Sequence, residues 1–183
     1  MSDASLGPIP AQIQAYVAQL HALTDQLLAP VEAANTERLT CRLGCASCCV
    51  DDITVFEVEA DRIVGALGGA ALEAGPPGGC ALLDDSGACR VYAVRPYVCR
   101  TQGLPLRWGE DTPDGPVEHR DICPLNEEGP AIESLPAEAC WTLGPVEARL
   151  AAAQRTAQTA RGEPEDAPLR RVALRDLLAP HPG

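Results

Sequence analysis

Cysteine is the residue type in this chain whose spacing could do chemistry. Cys41, Cys45, Cys48 and Cys49 lie within nine residues, and Cys80, Cys89 and Cys99 lie within twenty. Cys123 follows, and Cys140 stands alone. Cys45-Ala-Ser-Cys48 is a C-x-x-C, a spacing that lets two sulfurs converge on one metal from a single tight turn. Cys49 directly follows Cys48, and neighbouring side chains on extended backbone point to opposite faces. The pair therefore faces two sites, or one member stays out of ligation. Core packing does not bunch four cysteines in nine residues, although a lone buried cysteine is an ordinary small hydrophobe. A thiol–disulfide pair at Cys45/Cys48 would leave the other cysteines unexplained. Structural disulfides need an oxidising compartment, and the count of nine is odd.

The rest of the composition narrows the setting. The 183 residues carry 14 basic and 26 acidic side chains, a net charge of −12, and every basic residue is arginine. Acidity without lysine argues against a phosphate-binding surface, so no nucleic-acid partner is expected. No apolar run approaches the length of a membrane span, and MSDASLGPIP lacks the basic start and apolar stretch of a signal peptide. The expected location is cytoplasmic, where thiols stay reduced. A protein or redox partner is left open. The length suits a single domain over residues 1–183.

The elements that must position the cysteines are mainly helical. Ile9, Ile13, Tyr16, Val17, Leu20, Leu23, Leu27 and Leu28 follow the helical period, predicting an N-terminal packing helix within 9–39 that Pro30 ends or kinks. Residues 53–55 read as a short extended piece and 57–67 as a helix stopped by Gly68-Gly69. CALLDDSGACRVY, 80–92, reads as a hairpin around Asp-Asp-Ser-Gly. A short helix is expected after Arg95-Pro96. Residues 103–130 read as irregular structure around Cys123. C-terminal helices are expected within 145–179: one opened by Pro145 and stopped by Gly162, and a last one over Leu169–Leu178 closed by Pro180. The expected class is α+β, mainly helical, with a small loop-rich cysteine core and a short hairpin between flanking helices.

At the cysteines the sequence resembles the YkgJ-type cysteine-cluster proteins, the CxxCxxCC zinc- or iron-chelating family. The first signature stands as CRLGCASCCVDDITVFEVEADRIVGAL and the second as CALLDDSGACRVYAVRPYVCR, with Cys80, Gly87, Cys89, Tyr92, Arg95, Pro96, Cys99 and Arg100 in place. Cys123-Pro124 matches the family's later Cys-Pro. The first run is C-x3-C-x2-C-C, one residue longer than the family spacing, and Ala81 replaces a proline. The resemblance covers about 41–125 and implies a metal-binding core there, holding zinc or, with slight preference, an iron–sulfur cluster. The ligands it implies are Cys41, Cys45, Cys48, Cys49, Cys80, Cys89, Cys99 and Cys123. A related cluster occurs in flagellin lysine-N-methylases. The function classes in view are a structural or electron-transfer centre, an iron–sulfur-dependent oxidoreductase or protein-modifying enzyme, and a metal carrier or sensor; catalytic residues are not assigned.

Local charge adds a further expectation. Residues 80–107 hold Arg90, Arg95, Arg100 and Arg107 against Asp84 and Asp85, a local excess of two positive charges. A four-thiolate site with a divalent centre is net anionic, so Arg95 and Arg100 are expected to offset its charge and donate to sulfur, or else to form a salt bridge. Tyr92 is expected to pack. His119 is a weak nitrogen-ligand candidate. Asp51 and Asp52 read as turn formers or caps. His21 and His181 suggest no site, and Cys140 reads as a buried thiol that binds nothing.

Overall fold

A computed structural model describes residues 8–69 and 73–178. The fold is α+β. Helix α1 spans Ala11–Ala34, α2 Glu57–Leu67, α3 Tyr97–Thr101 and α4 Pro145–Ala160. Strands β1 (Thr54–Phe56) and β5 (Arg171–Ala173) pair antiparallel, with Val55 opposite Val172. Strands β2 (Leu106–Thr112) and β3 (Gly115–Asp121) form an antiparallel hairpin, with Trp108 opposite His119. Strand β4 (Trp141–Thr142) adds parallel to β2.

α1 buries Ile13, Val17, Leu20, His21, Thr24, Leu28 and Val31, one face of a 3.6-residue period. Tyr16, Leu23 and Leu27, expected in that stripe, are exposed instead. They lie on neighbouring rows of the helix, and the buried row takes in His21, which contacts Glu59 of α2, and Thr24, which is bonded locally. Thr24 Oγ1 donates to the Leu20 carbonyl at 2.8 Å. The helix runs through Pro30 rather than ending there. Proline removes one hydrogen bond, and the packing of Leu28 and Val31 on either side holds the turn.

Two apolar clusters build the interior. The first joins α1, Val58, Tyr97, Leu104, Trp141 and the inner face of α4. The second joins Val55, Ala60, Ile63, Leu82, Leu83, Val91, Leu174 and Leu177, and Cys80 is part of it. Cys49 and Cys89 pack against that second cluster. α2 lies between the two, with Val58 in one and Ile63 in the other. Its start is tied to α4: Gln154 Oε1 accepts the Val58 N–H at 3.0 Å, and Arg161 bonds Glu57. Its end is Gly68 at φ 60°, a left-handed turn that glycine adopts without strain.

Three local expectations are corrected. Residues 80–92 form a tight turn with one isolated bridge, Leu83 to Cys89, and no strands. Asp84 takes over the turn's donors: its Oδ1 accepts from Ser86 N–H at 2.9 Å, Ser86 Oγ at 2.6 Å and Ala88 N–H at 2.9 Å. The hairpin stands instead at 106–121, inside the stretch read as irregular. Its paired arginines and acids mask the alternation, and Arg107, Glu118 and Arg120 form ion pairs along it. The last helix is replaced by β5 and a 3-10 turn over Leu174–Leu178. Pro180 and His181 lie outside the described residues.

Candidate metal centre

All nine cysteines are free thiols. Seven of them, Cys41, Cys45, Cys48, Cys49, Cys80, Cys89 and Cys99, line one cavity of about 400 Å³. Three pieces of chain bring them there. The first is the loop 40–50, which enters from the end of α1. The second is the turn 79–92, and the third is α3.

The first two pieces interlock through backbone. The Cys80 N–H donates to the Cys49 carbonyl at 2.8 Å, and Val50 bridges Gly79. Gly44 and Gly87 face one another at φ 83° and 78°; a Cβ on Gly87 would lie 3.4 Å from the Gly44 carbonyl oxygen. The third piece is set by Glu59 of α2, which is buried. Its Oε1 accepts the Tyr97 N–H at the start of α3, at 2.7 Å, and contacts His21 Nε2 of α1 at 2.9 Å. Trp141 Nε1 donates to the Tyr97 hydroxyl at 2.7 Å from the far side. α3 is thereby held at both ends of Tyr97, and Cys99 with it.

The thiols fall into an inner and an outer group. Cys48, Cys49, Cys80, Cys89 and Cys99 influence one another's ionisation. The Cys49 thiol donates to Cys48, which pulls Cys48 down to about 6 and drives Cys49 up. Burial pushes Cys99 up to about 12 and raises Cys80 and Cys89 as well. Burial thus disfavours the thiolate at Cys80, Cys89 and Cys99, and a bound cation would favour it.

Cys123, the eighth expected ligand, is outside the cavity lining. It lies beside the outer group: Ser47 Oγ is 3.8 Å from Cys123 Sγ and 4.0 Å from Cys45 Sγ. Asn126, wholly buried, ties that edge together. Its Nδ2 donates to the Gly103 carbonyl at 2.7 Å and to Cys41 Sγ at 3.4 Å. Its Oδ1 accepts the Thr40 N–H at 2.9 Å and the Thr40 hydroxyl at 2.8 Å. Gly103 has φ 93°, and a Cβ there would come within 2.7 Å of Cys41 Sγ. Sequence reading missed Asn126 and Glu59. The one signal for Asn126 was its place three residues after Cys123.

The arginines take the salt-bridge alternative. Arg100 Nη1 donates to Asp25 Oδ2 at 2.5 Å, and Arg95 Nη2 is 3.6 Å from Asp25 Oδ1. Arg95 also lines the cavity, and its charge favours the Cys89 thiolate against the stronger effect of burial. Tyr92 does not pack: it is 63% exposed, with the Arg95 guanidinium 4.2 Å above its ring. His119 lies on β3, stacked on Trp108 and bonded to Glu110 at 2.8 Å. Asp51 is bonded by Arg175. Cys140 is buried, 3.9 Å from Arg120 Nη1.

The donor set suits a thiophilic metal: soft sulfur in excess of four, converging from three segments. Among the described residues, however, no three Cys, His, Asp or Glu side chains stand close enough to hold one ion as they are. Thiols ring the space without meeting at a point.

The comparisons agree with this chemistry. Residues 40–122 match the model of the CxxCxxCC family, described as "Putative zinc- or iron-chelating domain". That is the family the two cysteine signatures resemble, and the matched residues include the seven cysteines that line the cavity. No curated protein and no solved structure matches the chain. No helix among the described residues is long and apolar enough to cross a membrane.

Proposed function

We propose that the chain is a metal-binding protein that holds an iron–sulfur cluster in the cysteine-lined cavity. The observation that carries this reading is seven thiols from three chain segments around one space of about 400 Å³. A tetrahedral zinc site needs four donors within about 2.3 Å of one point. A cluster carries its own sulfides and meets thiolates that stand further apart. Cys48, Cys49, Cys80, Cys89 and Cys99 are the inner ligands of this reading, with Cys41, Cys45 and Cys123 at the outer edge. The bound cluster would supply one-electron chemistry, so electron transfer is the function it supports best. Such thiols need a reducing compartment, the cytoplasm.

Zinc is the second reading, and side-chain rotation could bring four of the inner five sulfurs onto one ion. Anaerobic purification with metal and acid-labile sulfide analysis separates the two. Iron and sulfide in stoichiometric amounts are expected. Colourless protein with zinc and no sulfide would overturn the cluster. Protein that retains neither metal would overturn metal binding altogether.

A further inference from the structure

α1 lies outside the matched residues 40–122, yet one of its side chains reaches Arg95, which lines the cavity, and Arg100 of α3. Asp25 accepts Arg100 Nη1 at 2.5 Å and stands 3.6 Å from Arg95 Nη2. The two arginine side chains differ in setting. That of Arg100 is 3% exposed, and Asp25 is its ion-pair partner there. That of Arg95 is 18% exposed, lines the thiol cavity, lies over the Tyr92 ring and donates to the Tyr92 carbonyl at 3.2 Å. The nearby carboxylate of Glu59 is committed to Tyr97 N–H and His21. One carboxylate is thus shared by two cations, of which Arg95 lines the thiol cavity and favours the Cys89 thiolate, while Glu59 acts on Cys99 in the opposite sense. Asp25 is 45% exposed, so solvent screens its share without abolishing it.

We propose that Asp25 of α1 is a positioning residue of the metal centre: by sharing its charge between Arg95 and Arg100 it sets how much positive charge faces the thiolates. A thiolate-rich centre is net anionic, so that charge governs how tightly metal is kept. The inference rests on the metal-binding reading above.

The test compares wild type, D25N, D25E, R95Q and R95K. Each is loaded in parallel with Zn²⁺ and with Fe²⁺ plus sulfide under reducing, anaerobic conditions. Metal loss to excess chelator is timed, and thermal melting is followed alongside. Removing the Asp25 charge should slow metal loss about threefold, and R95Q should speed it about threefold. R95K keeps the charge while losing the fork, and it should stay near the wild-type rate. A role in merely clamping α1 to α3 would speed loss in D25N and in both Arg95 variants. That result, or no change in any variant, overturns the proposal. Should D25N fail to fold, D25E decides: it keeps the charge and should keep the wild-type rate, and a D25E rate as fast as that of R95Q overturns the proposal. Wild-type protein that retains neither metal overturns the functional reading and this inference with it; wild-type retention with unresponsive variants overturns only the inference.

Discussion

Asn126 is the side chain on which the outer cysteine edge depends. It is fully buried and its amide is bonded at both ends, to Thr40, Gly103 and Cys41. Asn126→Ala leaves the Thr40 N–H and the Gly103 carbonyl without a partner, at a cost of roughly 2–4 kcal/mol; a lower urea midpoint with an unchanged slope is the expected measurement. Gly103→Ala meets two obstacles together, a left-handed backbone and the Cys41 sulfur. It should destabilise by more than the roughly 1 kcal/mol that positive φ alone costs. The thiols add a pH dependence. Burial raises Cys80, Cys89 and Cys99 in the folded chain, which therefore keeps their protons where the unfolded chain releases them. The unfolded state then binds fewer protons, and metal-free protein loses stability as pH rises from the ordinary thiol range toward about 12. Urea titrations of reduced, metal-free protein at pH 7.5 and pH 10 should show the lower midpoint at the higher pH. Equal midpoints would mean that the thiols are solvated.

Among the elements, α2 was legible almost to the residue, because an apolar 3.6 period runs into Gly68. Its role was not. α2 presents Ile63 to the cluster under the cysteines and Glu59 to α3, contacts 38 residues apart in sequence for Glu59 and Tyr97. Ile63→Ala should cost roughly 2–5 kcal/mol, read from denaturant unfolding, since the side chain is wholly buried. It should also loosen the wall behind Cys80. The hairpin of β2 and β3 was illegible for a physical reason: its strands are half exposed and charged, and charge pairs rather than apolar alternation stabilise it. The same holds for the site. The cysteines could be read because four in nine residues is a local pattern. Asn126 and Asp25 could not, because their partners lie 85 and 75 residues away.

For the molecule as a whole, the cysteine segments contribute little regular structure: a loop, a turn and a five-residue helix. They are held by a few backbone bonds, by the side chains of Glu59 and Asn126, and by Leu82, Leu83 and Val91 in one apolar cluster. Bound metal should therefore contribute to folding directly. Chelator treatment is expected to lower the melting temperature and to raise amide exchange in 40–50 and 79–92, while α1 and α4 stay protected. Uniform exchange across the chain would show that metal and fold are not divided in this way. The α+β class followed from the sequence, whereas the pairing of β1 with β5 did not, since Thr54 and Arg171 stand 117 residues apart.

That pairing has a consequence for synthesis. Leu174, directly after β5, forms part of the cavity wall. A ribosome delivers the chain from its N-terminus, so the seven cysteines that line the cavity emerge before the segment that completes its wall. During that interval the thiols stand open to the cell's small-molecule pools. Until β5 pairs with β1 and brings Leu174 into place, one side of the cavity has no wall.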